Sequence, residues 1–260
     1  MVNKYYLIIL FCFFHFQLSS QVDELILSRE GSSFINKINL YEPYQNYIKK
    51  VPIENTKKFI FRGSTTKKYV ALTFDDGPNF NTKKTIEFLE SKSIPATFFI
   101  VTRNLNENNV NFYSNNLFEI ALHCNEHHNF NQLTYEEISR DFEIALKTLD
   151  SFQLNVEYYR PPYGIINSKL IKVLNSIKEN KKINDYEVIN QRLTPILWSH
   201  DSVDWGTKSV EKVVINSTKN LSPGSILLFH EASTKTSTLE IIINKIYELG
   251  FEVVPLRDLL

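Results

Sequence analysis

The sequence predicts an α/β fold, an incomplete and irregular (β/α) barrel of about seven parallel strands with helices packed outside. Three observations carry this. From Lys68 onward, short apolar runs alternate with amphipathic stretches of helical period. Roughly seven such units fall in about 190 residues, fewer than the eight units in about 250 residues of a complete barrel. Five of the apolar runs also end in polar clusters, and on folds of this kind the C-terminal strand ends form the rim where active sites gather.

The elements follow in order. Tyr69 to Phe74 reads as the first strand, and Asn81 to Ser91 as a helix with Ile86, Phe88 and Leu89 on or near one face. Ala96 to Val101 is a buried strand and Phe118 to Leu122 a third. Thr134 to Asp150 is a long helix opening on a capping box, Thr134-Tyr135-Glu136-Glu137. Val156 to Arg160 is a strand stopped by Pro161-Pro162, which lack backbone donors. Asn167 to Ser176 is helical, Pro195 to Ser199 a strand, Val210 to Asn220 a helix and Ser225 to Phe229 a strand. Thr238 to Leu249 is a helix ended by Gly250, and Phe251 to Pro255 is the last strand. The polar stretch from Lys178 to Arg192 is expected to be an exposed insertion, and no internal repeat is present.

A chain of 260 residues that is 43% hydrophobic can bury one sizeable core, so one domain with N-terminal extras is expected. Lys plus Arg and Asp plus Glu balance at 29 each, with no strong basic run, which argues against a nucleic-acid partner. In residues 1–20, Lys4 precedes the apolar run Tyr5 to Phe14, and Ser19-Ser20 close it. This reads as a secretory signal peptide, with a retained N-terminal anchor as the alternative. The run is shorter than the roughly 20 residues of a stable membrane span. A secreted, periplasmic or cell-envelope protein is therefore expected. Removal of Cys12 with the signal leaves Cys124 alone, so no disulfide is expected. Residues 21–67 read as an arm or linker, residues 68–260 as the main folded domain, and the chain as a monomer.

The chemistry starts at Thr73-Phe74-Asp75-Asp76-Gly77-Pro78. Neighbouring strand residues point to opposite faces, so two adjacent carboxylates inside a core would bury a charge at high cost. At a strand end the pair can instead hold a metal and serve as a base, or simply cap a turn. His123 and His127 have the spacing that puts two imidazoles on one face of a helical turn, within reach of one ion, although His128 offers an alternative second ligand. With a strand-end carboxylate they would make a two-His, one-Asp set with positions open to water and substrate. Arg160 in Arg160-Pro161-Pro162-Tyr163-Gly164 would reach the same crevice and could pair with Asp75. Trp198 to Trp205 brings two acids and two indoles to a strand end, suited to stacking on a sugar or to packing the barrel end. His230 follows a buried strand directly.

Taken in order, Thr73 to Pro78, His123 to His127, Arg160 to Gly164, Asp201 to Trp205 and Leu228 to His230 resemble the five motifs of the polysaccharide deacetylases, carbohydrate esterase family 4. The resemblance runs from about Lys68 to Leu260. It implies that Asp76, His123 and His127 hold a divalent metal, most often Zn2+ in this family, with Co2+, Ni2+ or Mn2+ as alternatives. It implies that Asp75 is the general base, that His230 protonates the departing sugar amine, and that Arg160 keeps Asp75 ionised. Asp204, in preference to Asp201, would orient His230. Tyr163 would present a backbone N–H to the oxyanion, and Trp205 and Leu228 would wall the acetyl pocket. The implied substrate is an N-acetylated glycan. An O-acetyl esterase, a non-catalytic glycan-binding protein on the same fold and, more remotely, an iron oxygenase are the alternatives. Cys124 stands where the family has Ser or Thr, and Glu231 where Asp is common. Cys124 is expected to lie off the ligand face.

Overall fold

Strand β1 (Tyr69–Gly77) lies at the centre of the protein, with Val70 to Phe74 completely buried. The computed structural model describes residues 41–52, 55, 59–178, 183 and 193–260. On one side of β1 lie β2 (Ala96–Val101), β3 (Phe118–Cys124), β4 (Tyr158–Tyr159) and β5 (Thr194–Pro195). On the other lie β7 (Ser225–His230) and then β6 (His200–Asp201). All neighbours are parallel, and β8 (Glu252–Val253) pairs with the first residues of β1. The fold is thus the half-barrel of seven parallel strands that the alternation of elements predicts. All six residues of β2 are buried, as its unbroken apolar run requires of a strand covered on both faces.

The covering helices are α1 (Glu42–Ile48), α2 (Thr82–Ser91), α3 (Tyr135–Ser151), α4 (Ser168–Lys178), α5 (Val210–Thr218), α6 (Thr236–Glu248) and the short α7 (Leu256–Leu259). Helix α3 opens on the capping box expected of it. The Thr134 hydroxyl accepts the Glu137 N–H at 3.1 Å, and the Glu137 carboxylate accepts the Thr134 N–H at 2.7 Å. Ile138, Phe142, Ala145, Leu146 and Leu149 then repeat at helical spacing to form its buried face.

Four of the expected strands take a different form. β1 runs on to Gly77, so the two carboxylates belong to the strand itself. The strand expected at Val156 to Arg160 narrows to Tyr158–Tyr159, and the last one narrows to Glu252–Val253, each stopped by proline close downstream. The strand expected at Pro195 to Ser199 is one extended segment that changes partner. Ile196 donates its N–H to the Tyr159 carbonyl at 2.7 Å, whereas Ser199 donates to Ile226 at 3.0 Å. The segment therefore leaves β4 and arrives at β7, crossing between the two edges of the sheet.

Residues 59–63 fill the wedge left by that crossing. Ile60 donates to Pro195 at 2.9 Å and accepts from Leu197 at 2.7 Å, and Gly63 donates to Gly224 at 2.8 Å. Phe59 and Phe61 enter the core on either side of Ile60. The described part of the expected arm is thus woven into the barrel wall. The expected signal segment and most of the polar insertion lie outside the described residues. Among those residues, no helix is long and apolar enough to cross a membrane.

Candidate active site

The C-terminal end of β1 sets the site. Asp76 adopts φ +71°, and the register with β2 slips between Asp75 and Gly77. Such a bulge re-aims side chains. Alternation alone would send Asp75 and Asp76 to opposite faces, but here both approach His123 Nε2, Asp75 Oδ2 at 3.8 Å and Asp76 Oδ1 at 3.4 Å. Gly77 is required next, because a Cβ there would stand 1.7 Å from Glu231 Oε1.

His123 is the penultimate residue of β3, and His127 sits in the loop beyond it with φ +51°. The pair therefore does not lie on a helical turn. A strand end followed by a left-handed kink brings the imidazoles together instead, with ring centroids 4.9 Å apart. His127 Nε2 is 3.1 Å from Asp76 Oδ1. The loop is held from below: Asp141 of α3 accepts the N–H groups of Asn125 and Glu126, both at 2.9 Å, and Cys124 Sγ accepts the His127 N–H at 3.0 Å. Burial pushes the Cys124 thiol well up, so it remains protonated, and it stands outside the ligand cluster. His128 is exposed and also stands outside.

The donor atoms of Asp76, His123 and His127 lie within 4.8 Å of one another. His123 Nδ1 is 2.7 Å from the Arg160 carbonyl oxygen. A carbonyl can only accept, so Nδ1 carries the proton and Nε2 presents a lone pair, the tautomer of a metal ligand. Asp76 Oδ1 is buried with no hydrogen-bond donor paired to it, although both imidazole Nε2 atoms lie close by, at 3.4 and 3.1 Å. Burial raises the Asp76 carboxyl, but the two imidazoles outweigh it and hold it well below the usual carboxylate range. Burial likewise lowers His123, and the charges of Asp75 and Asp76 raise it more. Each group calls for positive charge at the point they share, so the set fits a divalent ion with nitrogen and oxygen ligands.

Arg160, directly after β4, is completely buried with every side-chain nitrogen satisfied. Nη1 donates to Asp75 Oδ1 at 2.7 Å and to Thr73 Oγ1 at 2.9 Å, Nη2 to Leu197 at 2.9 Å and Nε to Ile196 at 3.3 Å. Its guanidinium lies 4.0 Å above the Phe99 ring. A buried charge this fully partnered is tolerated, and it leaves one Asp75 oxygen facing the site. Beyond it, Tyr163 takes φ +58° and lays its half-exposed ring edge-on to His127, centroids 4.7 Å apart.

On the other side, His230 ends β7 in register with Asp75. Its Nδ1 is 2.8 Å from Asp204 Oδ1, while Asp204 Oδ2 accepts the His230 N–H at 2.8 Å and the Thr234 hydroxyl. Burial lowers the imidazole, and Asp204 more than reverses this, moving it to about 9. Asp201 instead accepts the Val203 N–H at 2.9 Å, and burial raises its carboxyl to about 6. Leu228 is buried. Trp205 is 51% exposed, but Trp198 is buried and stacks on Tyr44 at 4.6 Å, packing the barrel end. Beside Trp205, a cavity of about 370 Å³ is bounded by Tyr41, Glu42, Asp201 and Lys212 and by none of Asp76, His123 and His127. Asp76, His127, Tyr163 and Val203 all have positive φ, which places backbone strain around one rim.

Two supports have no local signal in the sequence. Glu231 is buried against Gly77, bonded to the Thr82 hydroxyl and to Tyr113 at 3.2 Å, and burial pushes its carboxyl up to about 8. The Asp141 side chain reaches the His123–His127 loop from within α3. Each depends on residues far away in the chain.

Residues 62–179 match the family model for polysaccharide deacetylase. In this region the chain is similar to the polysaccharide deacetylases. Among its curated relatives, it is 30% identical over 178 residues to a peptidoglycan-N-acetylglucosamine deacetylase of Bacillus cereus, covering 66% of this chain and 59% of that one. It is 25% identical over 200 residues to a bifunctional xylanase/deacetylase of Pseudobutyrivibrio xylanivorans, covering 74% of this chain and 30% of that one. The chain thus spans less than two thirds of either relative. Among solved structures, the fold recurs with a TM-score of 0.64 in BA3943 from Bacillus anthracis, described as a pseudoenzyme of carbohydrate esterase family 4. That structure is 23% identical and covers 77% of this chain and 68% of its own.

Proposed function

We propose that the protein is a metal-dependent hydrolase that removes N-acetyl groups from N-acetylglucosamine-containing polysaccharide, such as peptidoglycan, a chitin-like polymer or an exopolysaccharide. The observation that carries this is the convergence of Asp75 and Asp76 on the two imidazoles, with the Asp204–His230 pair in register across the same strand end. In this reading Asp76, His123 and His127 hold the ion, zinc in preference to cobalt, nickel or manganese. A bound divalent ion lowers the pKa of water and polarises an acetamide carbonyl.

The side chains supply the rest. Asp75, fixed through one oxygen by Arg160, accepts the proton of the attacking water through the other. The backbone N–H of Tyr163 donates to the carbonyl oxygen as negative charge develops there. His230 Nε2, charged because Asp204 holds Nδ1, delivers a proton to the leaving sugar amine. Trp205 and Leu228 receive the acetyl group. Residues 68–260 are the catalytic domain on this reading, residues 1–20 a signal segment and residues 21–67 an arm. The chain acts as a monomer outside the cytoplasm.

The test is acetate release from chitooligosaccharides and peptidoglycan fragments, lost with EDTA and restored by added metal. No release from any acetylated glycan with metal restored would falsify the reading. Similarity to a bifunctional xylanase/xylan deacetylase of Cellvibrio japonicus favours a second reading, hydrolysis of O-acetyl esters on xylan. A matched panel of amide and ester substrates separates the two. Glycan binding without turnover would identify a non-catalytic binding protein.

A further inference from the structure

Helix α1 lies before the region that matches the family model, yet it is built into the walls of the site. The Tyr47 hydroxyl donates to the Ile166 carbonyl at 2.9 Å and accepts the Ile166 N–H at 3.0 Å, so one side chain satisfies both backbone groups of a residue 119 positions away. The Tyr44 hydroxyl reaches the Gly164 carbonyl at 3.4 Å, and its ring occupies the space above Gly164, where a Cβ would stand 2.5 Å from the ring. The other face of Tyr44 stacks on Trp198, whose indole lies 5.6 Å from the Arg160 guanidinium. Just before the helix, Tyr41 meets Trp205 edge-on at 5.2 Å.

These contacts converge on the turn that carries Tyr163. That residue is held at φ +58°, a conformation a non-glycine residue keeps only where its surroundings impose it. The turn's own bonds are two short ones, Gly164 to Pro161 and Ile165 to Pro162. Tyr44 and Tyr47 supply the long-range fixings.

We propose that α1 is a positioning element of the active site, with Tyr44 and Tyr47 locking the 162–166 turn so that the Tyr163 N–H stays aimed at the reacting carbonyl. The proposal rests on the deacetylase reading. It assigns the arm a part in the chemical step without contact to substrate.

The experiment uses the full chain. Tyr47→Phe keeps the ring and removes both hydroxyl bonds, Tyr44→Leu removes the stacked ring, and Tyr44→Phe restores it. Ile246→Val, in α6 and far from the site, reports what a general loss of stability does to turnover. Expected are a fall in kcat of roughly ten- to a hundred-fold for Tyr47→Phe and Tyr44→Leu with KM and zinc affinity unchanged, and recovery in Tyr44→Phe. The Ile166 amide should also exchange faster with solvent in Tyr47→Phe. A kcat within about two-fold of wild type, or a loss matched by Ile246→Val, overturns the proposal while leaving the deacetylase reading intact. A fall confined to KM or zinc affinity overturns it as well. Should Tyr44→Leu fail to fold, Tyr47→Phe decides. Should the wild-type protein release no acetate, the deacetylase reading falls, and unchanged exchange at Ile166 in Tyr47→Phe then removes the positioning role too.

Discussion

Asp75 and Asp76 are adjacent and chemically identical, but the chain gives them different neighbours. Asp75 is buried against Arg160, while Asp76 is turned by its positive φ toward two imidazole nitrogens. Removing them should therefore have separable effects. Asp76→Ala is expected to lose metal, measured by elemental analysis and calorimetric titration. Asp75→Asn is expected to keep metal and lose turnover by on the order of 10²- to 10⁴-fold. The His230 imidazole gives a second test. Its pKa is raised to about 9 in the folded protein, above about 6.5 in an unfolded chain. A raised pKa adds stability that is fully present below about 6.5 and is lost as pH climbs through about 9. Asp204→Asn should bring the imidazole down by NMR titration and flatten that slope. An unchanged His230 titration would sink the assignment of Asp204 as its partner.

Among the elements, α3 joins stability to the site. Its buried stripe packs the core, while Asp141 on the same helix ties the loop between the two histidines. Asp141→Ala should weaken zinc binding by about 10- to 100-fold with the three ligands intact, as loss of an outer hydrogen-bonding partner does. Thr134→Ala, at the exposed N-cap, should cost about 1 kcal/mol in urea unfolding and leave zinc affinity alone. This is also the scale at which sequence reasoning succeeds and then stops. The capping box, the apolar run of β2 and the polar cluster closing each strand are local patterns, readable from a few consecutive residues. The geometry joining His123 to His127 is not, because their spacing suits a helical turn as well as a kinked loop. Only the β3 pairing that holds His123 decides between them. Similarly, the segment from Thr194 to Asp201 has the residue types of one strand, and its change of partner depends on two distant edges.

At the scale of the molecule, the least legible part is the arm. Its polar composition and prolines read as a linker. Its structural weight lies in a few aromatic residues: Tyr44 and Tyr47, whose hydroxyls reach residues 120 and 119 positions away, and Phe59 and Phe61, which are buried in the core. Phe61→Ala should destabilise the whole domain by about 3–5 kcal/mol, read as a lower melting temperature. Metal removal should also lower the melting temperature, since an ion that binds only the folded state adds stability by mass action. If the melting temperature is indifferent to EDTA and to added zinc, the three-residue cluster is not a metal site.

The wedge closed by residues 59–63 bears on where this protein can be cut. A fragment beginning at residue 62, the start of the family match, would lack Ile60 and Phe61. The Pro195 carbonyl and the Leu197 N–H, both now paired with Ile60, would become an open strand edge beside an uncovered patch of core. Open edges recruit strands from other molecules. Such a fragment should self-associate and precipitate on expression, even with Asp75, Asp76, His123, His127 and His230 all present.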